Sequence, residues 1–267
     1  AVRWAAEREM LRGGRLHIVR VLSETTESGG YRVTGETGIA TRRDLDELAG
    51  LLRLAYPGLE PTTEVLWGHP FDELRRTAGD SSLLVVGTHQ REGSSFRYAW
   101  SLGARLAASS GPPIAIIPEL TGHAENRVVV GVDDSATSAR AARIAGAEAE
   151  LRGSELHLVH AWMEPPAVFE STIPDERFLE TLEAEHEGIL ADSTAHVREQ
   201  FPDLRTHPVL LHRPPAWGLL EYAAGAALLV TGSRKLHRAP RILLGSVSHT
   251  VVLNIAAPTI VVGPQPT

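Results

Sequence analysis

Gly232-Ser233-Arg234-Lys235 is followed by nine residues and then by Gly245-Ser246-Val247-Ser248, a spacing that supplies the parts of an anion site. Glycine lets the backbone approach a ligand where a side chain would block it. If a helix opens at Gly245, the unpaired N–H groups of its first turn and its positive end favour a phosphate. Ser246 can cap that helix or give its hydroxyl to a phosphate oxygen, while Arg234 and Lys235 add positive charge. The plainer reading is a surface loop closed by a serine cap. Asp133 follows the apolar run Val128-Val129-Val130-Gly131-Val132 and is the second candidate. At a strand end it can act as an acid, hold Mg²⁺ beside a triphosphate, or bond nearby backbone donors.

Other chemistries are poorly supplied. Asp133, His160 and Ser246 have the residue types of a hydrolase triad, but Gly245-Ser246-Val247-Ser248 lacks the closing glycine of a nucleophile elbow. His157, His160, His207, His212, His237 and His249 show no local spacing of the His-Glu-x-x-His kind, so no metal site is expected. The absence of cysteine excludes disulfides and thiolate chemistry. With 33 acidic against 26 basic residues the formal charge is −7, which gives nucleic-acid binding no electrostatic support. Residues 251–262 are the most apolar stretch, shorter than the ~20 residues a bilayer requires and interrupted by Pro258, so no membrane span is expected. Ala1-Val2-Arg3-Trp4 does not read as a signal peptide, and the cytoplasm is the expected compartment.

The elements that must position these residues emerge from an internal repeat. Residues 1–19 match 141–159, as in Leu11-Arg12-Gly13 against Leu151-Arg152-Gly153, at an offset of 140. Leu83-Leu84-Val85-Val86-Gly87-Thr88 matches Leu228-Leu229-Val230-Thr231-Gly232-Ser233 at an offset of 145, so the second copy is five residues longer in the middle. Two domains are expected, residues 1–120 and 126–267, joined near 119–126. The second reads as strand 128–132, helix 136–151, strand 156–161, helix 176–199, strand 209–212, helix 215–224, strand 227–231, helix 246–255 and strand 259–262. In the long helix Phe178, Leu179, Leu182, Ile189, Leu190 and Val197 fall near one face, and its glutamates read as a solvated outer side. The first copy repeats the order without an equivalent of 127–140. That strand would be the centre of a doubly wound sheet, so its loss should leave a hole, filled by upstream residues or by another chain. The β-branched last strands, at Ile114-Ala115-Ile116-Ile117 and Ile260-Val261-Val262, are expected to pair across the two copies and cover each other's edges.

Together the glycine loop, Val130-Gly131-Val132-Asp133-Asp134-Ser135 and Leu158-Val159-His160-Ala161-Trp162 resemble the universal stress protein family. Its ATP-binding members carry Gly-x2-Gly-x9-Gly-Ser/Thr at this place, and the likeness spans both halves. It implies two α/β doubly wound domains, each with a five-stranded parallel sheet and helices on both faces, paired like a dimer within one chain, with homodimerisation a further option. It also implies that Gly131, Val132 and Asp133 border an adenine nucleotide and that the backbone near Ala161 meets the base. Ribose and phosphates would fall to Thr231, Gly232, Ser233, Arg234, Lys235, Gly245, Ser246, Val247 and Ser248. Lys235 replaces the family's second glycine and Asp134 the glycine after the strand-one aspartate. In the first half, Gly87-Thr88-His89-Gln90 and nine further residues lead to Trp100-Ser101, where an indole stands at the third glycine position. ATP, with or without Mg²⁺, is therefore expected in domain two alone, in a stress or signalling protein without efficient catalysis. A nucleotide-free scaffold for self-association or partners is the alternative. Gly131-Val132-Asp133-Asp134-Ser135 also has a partial likeness to the ATP pyrophosphatase loop, without its glycine doublet, which leaves an AMP-forming ligase as a minor alternative. Trp162-Met163-Glu164-Pro165-Pro166 begins a loop that either gates adenine or only links strand to helix.

Overall fold

Val128, Val129 and Val130 have no exposed surface, which places their strand in the middle of a sheet covered on both faces. The computed structural model describes residues 1–23, 35–79, 82–88, 102–109, 111–119, 124–164, 176–233 and 244–264. The first half runs α1 (Val2–Arg12), β1 (His17–Leu22), α2 (Gly35–Ala55), β2 (Thr62–Trp67), α3 (Pro70–Thr77), β3 (Leu84–Gly87), α4 (Leu102–Ala108) and β4 (Ile114–Ile117). The second half runs β5 (Glu125–Gly131), α5 (Ala136–Arg152), β6 (Glu155–Trp162), α6 (Glu176–Gln200), β7 (Thr206–His212), α7 (Pro215–Tyr222), β8 (Ala226–Gly232), α8 (Ser246–Leu253) and β9 (Thr259–Val262).

In the second half the sheet order is β9-β8-β5-β6-β7 with all neighbours parallel, the doubly wound pattern expected from the repeat. Helices α5 and α6 cover one face around Val128, Val130, Leu156, Leu158 and Leu228. Val129, Val159 and Leu229 pack under α7 on the other. Alanines at 141, 142, 145 and 149 let α5 lie close to the sheet, all of them buried. Ser135 caps that helix by accepting from the Ser138 N–H, and Gly153 ends it in a left-handed conformation with φ 61°. Two expectations change. Phe178 stands half-exposed at the start of α6, off the packed stripe, whereas Leu190 and Val197 are buried. β7 begins at Thr206, three residues before the expected 209, because an edge strand tolerates Pro208.

The last strands of the two halves do pair. β4 meets β9 antiparallel, with Ala115 opposite Ile260, Ile114 opposite Val261 and Ile116 opposite Thr259. Ala115 and Ile260 are 145 apart, the offset of the repeat in this region, so these two counterparts face each other at a local two-fold axis. The result is a continuous seven-stranded sheet, β3-β4-β9-β8-β5-β6-β7. A second contact lies on the same symmetry. Arg8 of α1 donates to Glu148 of α5, 140 residues away, through Nε at 2.8 Å and NH2 at 2.6 Å. Both side chains are buried, and Glu9 and Arg152 flank them at 2.6 and 3.4 Å.

The first half departs from its twin at the expected place. β1 and β2 form a separate two-stranded parallel sheet under α2, and β3 pairs with β4 only. In the second half β5 lies between β6 and β8. Between β1 and β3, the counterparts of β6 and β8, the described residues leave a cleft of about 440 Å³ lined by Val2, Leu16, Ile18, Leu74, Leu84 and Val85.

Candidate functional site

Strand order reverses at β5, which has β6 on one side and β8 on the other, and the crevice beyond their carboxyl ends is where open α/β sheets bind ligands. A cleft of about 440 Å³ opens there. Gly131, Val132, Asp133, Ala161, Thr231 and Gly232 contribute from the strand ends, and Gly245, Ser246, Val247 and Ser248 from the start of α8. Ser233 does not line it: its N–H donates to Val262 O at 2.8 Å, prolonging the β8–β9 pairing, and the residue is buried. Arg234, Lys235 and Trp100 lie outside the described residues.

Six further residues line the cleft that the glycine pattern did not indicate: Ser135, Ser138, Val159, His160, Pro215 and Leu219. They give it two characters. Val132, Val159, Ala161, Pro215 and Leu219 form an apolar side, and the serines and helix ends form a polar one. Gly131 suits that packing, since a Cβ there would lie 2.7 Å from Leu219 Cδ1 and push that side chain aside. Gly232 serves the opposite wall, where a Cβ would meet the backbone of Thr137 and Ser138 at 3.1 and 3.2 Å.

Among the described residues three helices begin beside the crevice, α5, α7 at Pro215 and α8, and only α5 is closed by a side chain. At α5 the Ser135 hydroxyl donates to Asp133 Oδ1 at 2.5 Å and accepts from Ser138 N–H at 3.1 Å. The Ser135 N–H also reaches Asp133 Oδ1 at 2.9 Å, and the Ser138 hydroxyl accepts from Asp133 N–H at 2.8 Å. Asp133 thus performs the structural task among those considered for it. At α8 the N-cap is Gly245 and no side chain caps the helix. Ser246 is therefore the first helical residue rather than the cap, and Ser248 donates its hydroxyl back to Gly245 O at 3.2 Å. Gly245 has φ −57° and ψ 155°, open to any residue, so its value lies in its missing side chain and not in backbone freedom.

Asp133, His160 and Ser246 share the cleft but do not form a relay. His160 Nδ1 donates to Val132 O at 2.7 Å, because a carbonyl can only accept, and its Nε2 is hydrogen-bonded to His186 Nδ1 at 2.8 Å. Both ring nitrogens are committed elsewhere than Ser246. Trp162 is buried at the end of β6 and stacks on His186 and His212, each with centroids 4.5 Å apart, so it links β6, α6 and β7. Pro165 and Pro166 lie outside the described residues.

Desolvation, then the charge of His160, holds the His186 pKa below its ordinary value. Such a histidine binds fewer protons folded than unfolded, so its contribution is intact above the unfolded value of about 6.5 and is lost as the pH falls toward the lower folded value. The melting temperature is expected to fall as the pH drops below about 6.5, and His186→Phe to remove part of that fall. An NMR titration placing His186 at or above its ordinary value would contradict this.

The sequence profile of the universal stress protein family matches residues 1–118 and again 125–263. The chain belongs to that family, in its tandem two-domain form. It is similar to the universal stress protein Rv1996 of Mycobacterium tuberculosis, 31% identical over 98% of this chain and 90% of that protein. A universal stress protein of Mycolicibacterium smegmatis is 27% identical over 99% and 92%. The crystal structure of a universal stress protein from Archaeoglobus fulgidus superposes with a TM-score of 0.69 at 19% identity, covering 98% of this chain and 92% of that one, and shows the shared fold. Among the described residues no helix is long and apolar enough to cross a membrane.

Proposed function

We propose that this universal stress protein binds an adenine nucleotide, ATP foremost, in the second-half cleft and responds to it without an efficient chemical step. The observation that carries the reading is the start of α8, which has no side-chain cap and lines a cleft at the sheet's switch point. Phosphates suit the N–H groups of Ser246, Val247 and Ser248, with Gly232 opposite. The flat, weakly polar base suits the wall of Val132, Ala161, Pro215 and Leu219. Mg²⁺ arriving with ATP meets Asp133, the one carboxylate among the residues lining the cleft. Two features support binding without catalysis: His160 has both nitrogens engaged, and Asp133 Oδ1 accepts twice from Ser135.

Calorimetric titration of the intact chain with ATP is expected to show one site per chain. Two equivalent sites would overturn the restriction to the second half. Absence of binding would favour the nucleotide-free scaffold, a reading that draws on the continuous seven-stranded sheet shared by the two halves.

A further inference from the structure

Parallel pairing of β6 with β7 sets His157 beside His207, and Glu155, two residues earlier on β6, projects from the same face. Their imidazole rings stack with centroids 4.7 Å apart. His207 Nε2 lies 3.1 Å from Glu155 Oε2 and His157 Nε2 lies 4.0 Å from the same oxygen. One ligand atom from each of the three residues falls within 4.8 Å of the others. A search for His-x-x-x-His spacing passes over this group because the two histidines are 50 positions apart and meet only through strand register.

We propose that Glu155, His157 and His207 form a binding site for a divalent cation of the zinc class. Two imidazoles and one carboxylate are the donor set that borderline cations take, leaving a fourth position for water. Ligand bonds of about 2.0–2.2 Å place tetrahedral donors roughly 3.3–3.5 Å apart, so the observed separations close with small side-chain rotations. Tyr222 on α7 supplies the outer contact. Its hydroxyl lies 2.7 Å from His157 Nδ1, which directs that ring's Nε2 lone pair toward Glu155 and His207. Neighbouring charge is largely balanced. Arg205 sits on the other oxygen of Glu155 at 3.6 Å, and Arg127 is paired with Glu125 at 3.0 Å while lying over the Tyr222 ring. Glu155 and His207 are partly exposed, so an ion has a path from solvent.

The group stands at the amino end of β6, whereas the nucleotide cleft meets Ala161 near its carboxyl end. Four residues at about 3.3 Å each separate the two by roughly 13 Å. A cation here ties the edge strand β7 to β6 and protects it from fraying or mispairing. It acts as a clamp and needs no nucleotide.

The test is titration of the intact, chelator-treated protein with Zn²⁺ by calorimetry, without nucleotide, together with its melting temperature. One ion per chain and a rise in melting temperature are expected, with no comparable response to Mg²⁺. His207→Gln, at a half-exposed position that should not disturb folding, is expected to abolish both signals, and Tyr222→Phe to weaken affinity about 10–100-fold. His69→Gln, on the first half, serves as the control and is expected to bind as the parent does. Failure of the parent to bind Zn²⁺ overturns the site, as does a His207→Gln variant that binds unchanged. Equal affinity for Mg²⁺ overturns the assignment to the zinc class. None of these outcomes depends on whether ATP binds the distant cleft.

Discussion

Arg8→Ala is expected to destabilise the protein by about 3–5 kcal/mol, the range for removing one partner of a buried ion pair. Arg8 places Nε and NH2 on the same Glu148 oxygen, and both residues are almost fully excluded from water. Without the guanidinium, Glu148 keeps the longer contact to Arg152 at 3.4 Å, at a position that exposes almost none of its own surface to solvent. Denaturant unfolding of variant and parent measures the difference. Replacing both partners with methionine should cost less than Arg8→Ala alone, since it leaves no charge buried. A loss below about 1 kcal/mol for the single variant would mean that the pair behaves as a solvated surface contact.

This pair also explains what duplication within one chain permits. Arg8 and Glu148 occupy the same position of the repeat, 140 residues apart, next to the local two-fold axis. In a dimer of identical chains that position would confront its own copy, carboxylate against carboxylate. Two divergent copies can place opposite charges there instead. Arg8→Glu restores the like-charge arrangement and is the harsher form of the same experiment.

Much of the second half was legible because apolar runs, an alanine-rich stretch and a terminating glycine spoke for the same elements as the repeat. Ser135 and Gly153 bound α5 as those residue types suggest, and β9 spans the residues expected of it. The pairing of β4 with β9 was legible from edge chemistry and from the repeat itself. What escaped depends on neighbours far apart in sequence. Thr206 and His207 do not look like strand residues until β6 lies beside them, and the joining of His157 to His207 follows from that register. His160 has the residue type of a triad member or a metal ligand, whereas its bond to Val132 O ties the end of β6 to the residue after β5. Gly245 was recognisable as the glycine that precedes a helix, but its backbone angles are open to any residue, so conformation is not the reason for it.

Gly245→Trp is expected to abolish the rise in melting temperature that saturating ATP gives the parent, while the unliganded variant keeps a cooperative melt. The second part follows from geometry. At φ −57° and ψ 155° an L-residue carries no backbone strain, so the cost of the substitution falls on the volume in front of α8. An indole there covers the first-turn N–H groups that a phosphate would use. Ligand stabilisation follows RT ln(1 + [L]/Kd), about 2.7 kcal/mol at a ligand concentration 100 times Kd, so its loss is well resolved in a melting curve. Gly245→Ala adds only a methyl group and is expected to weaken binding without eliminating it, which separates crowding of the site from general damage. If the tryptophan variant retains the full ATP-dependent rise, the phosphates sit elsewhere and α8 is not their anchor. If the parent itself shows no rise at millimolar ATP, the tandem fold stands as a scaffold whose work is done by the paired sheets.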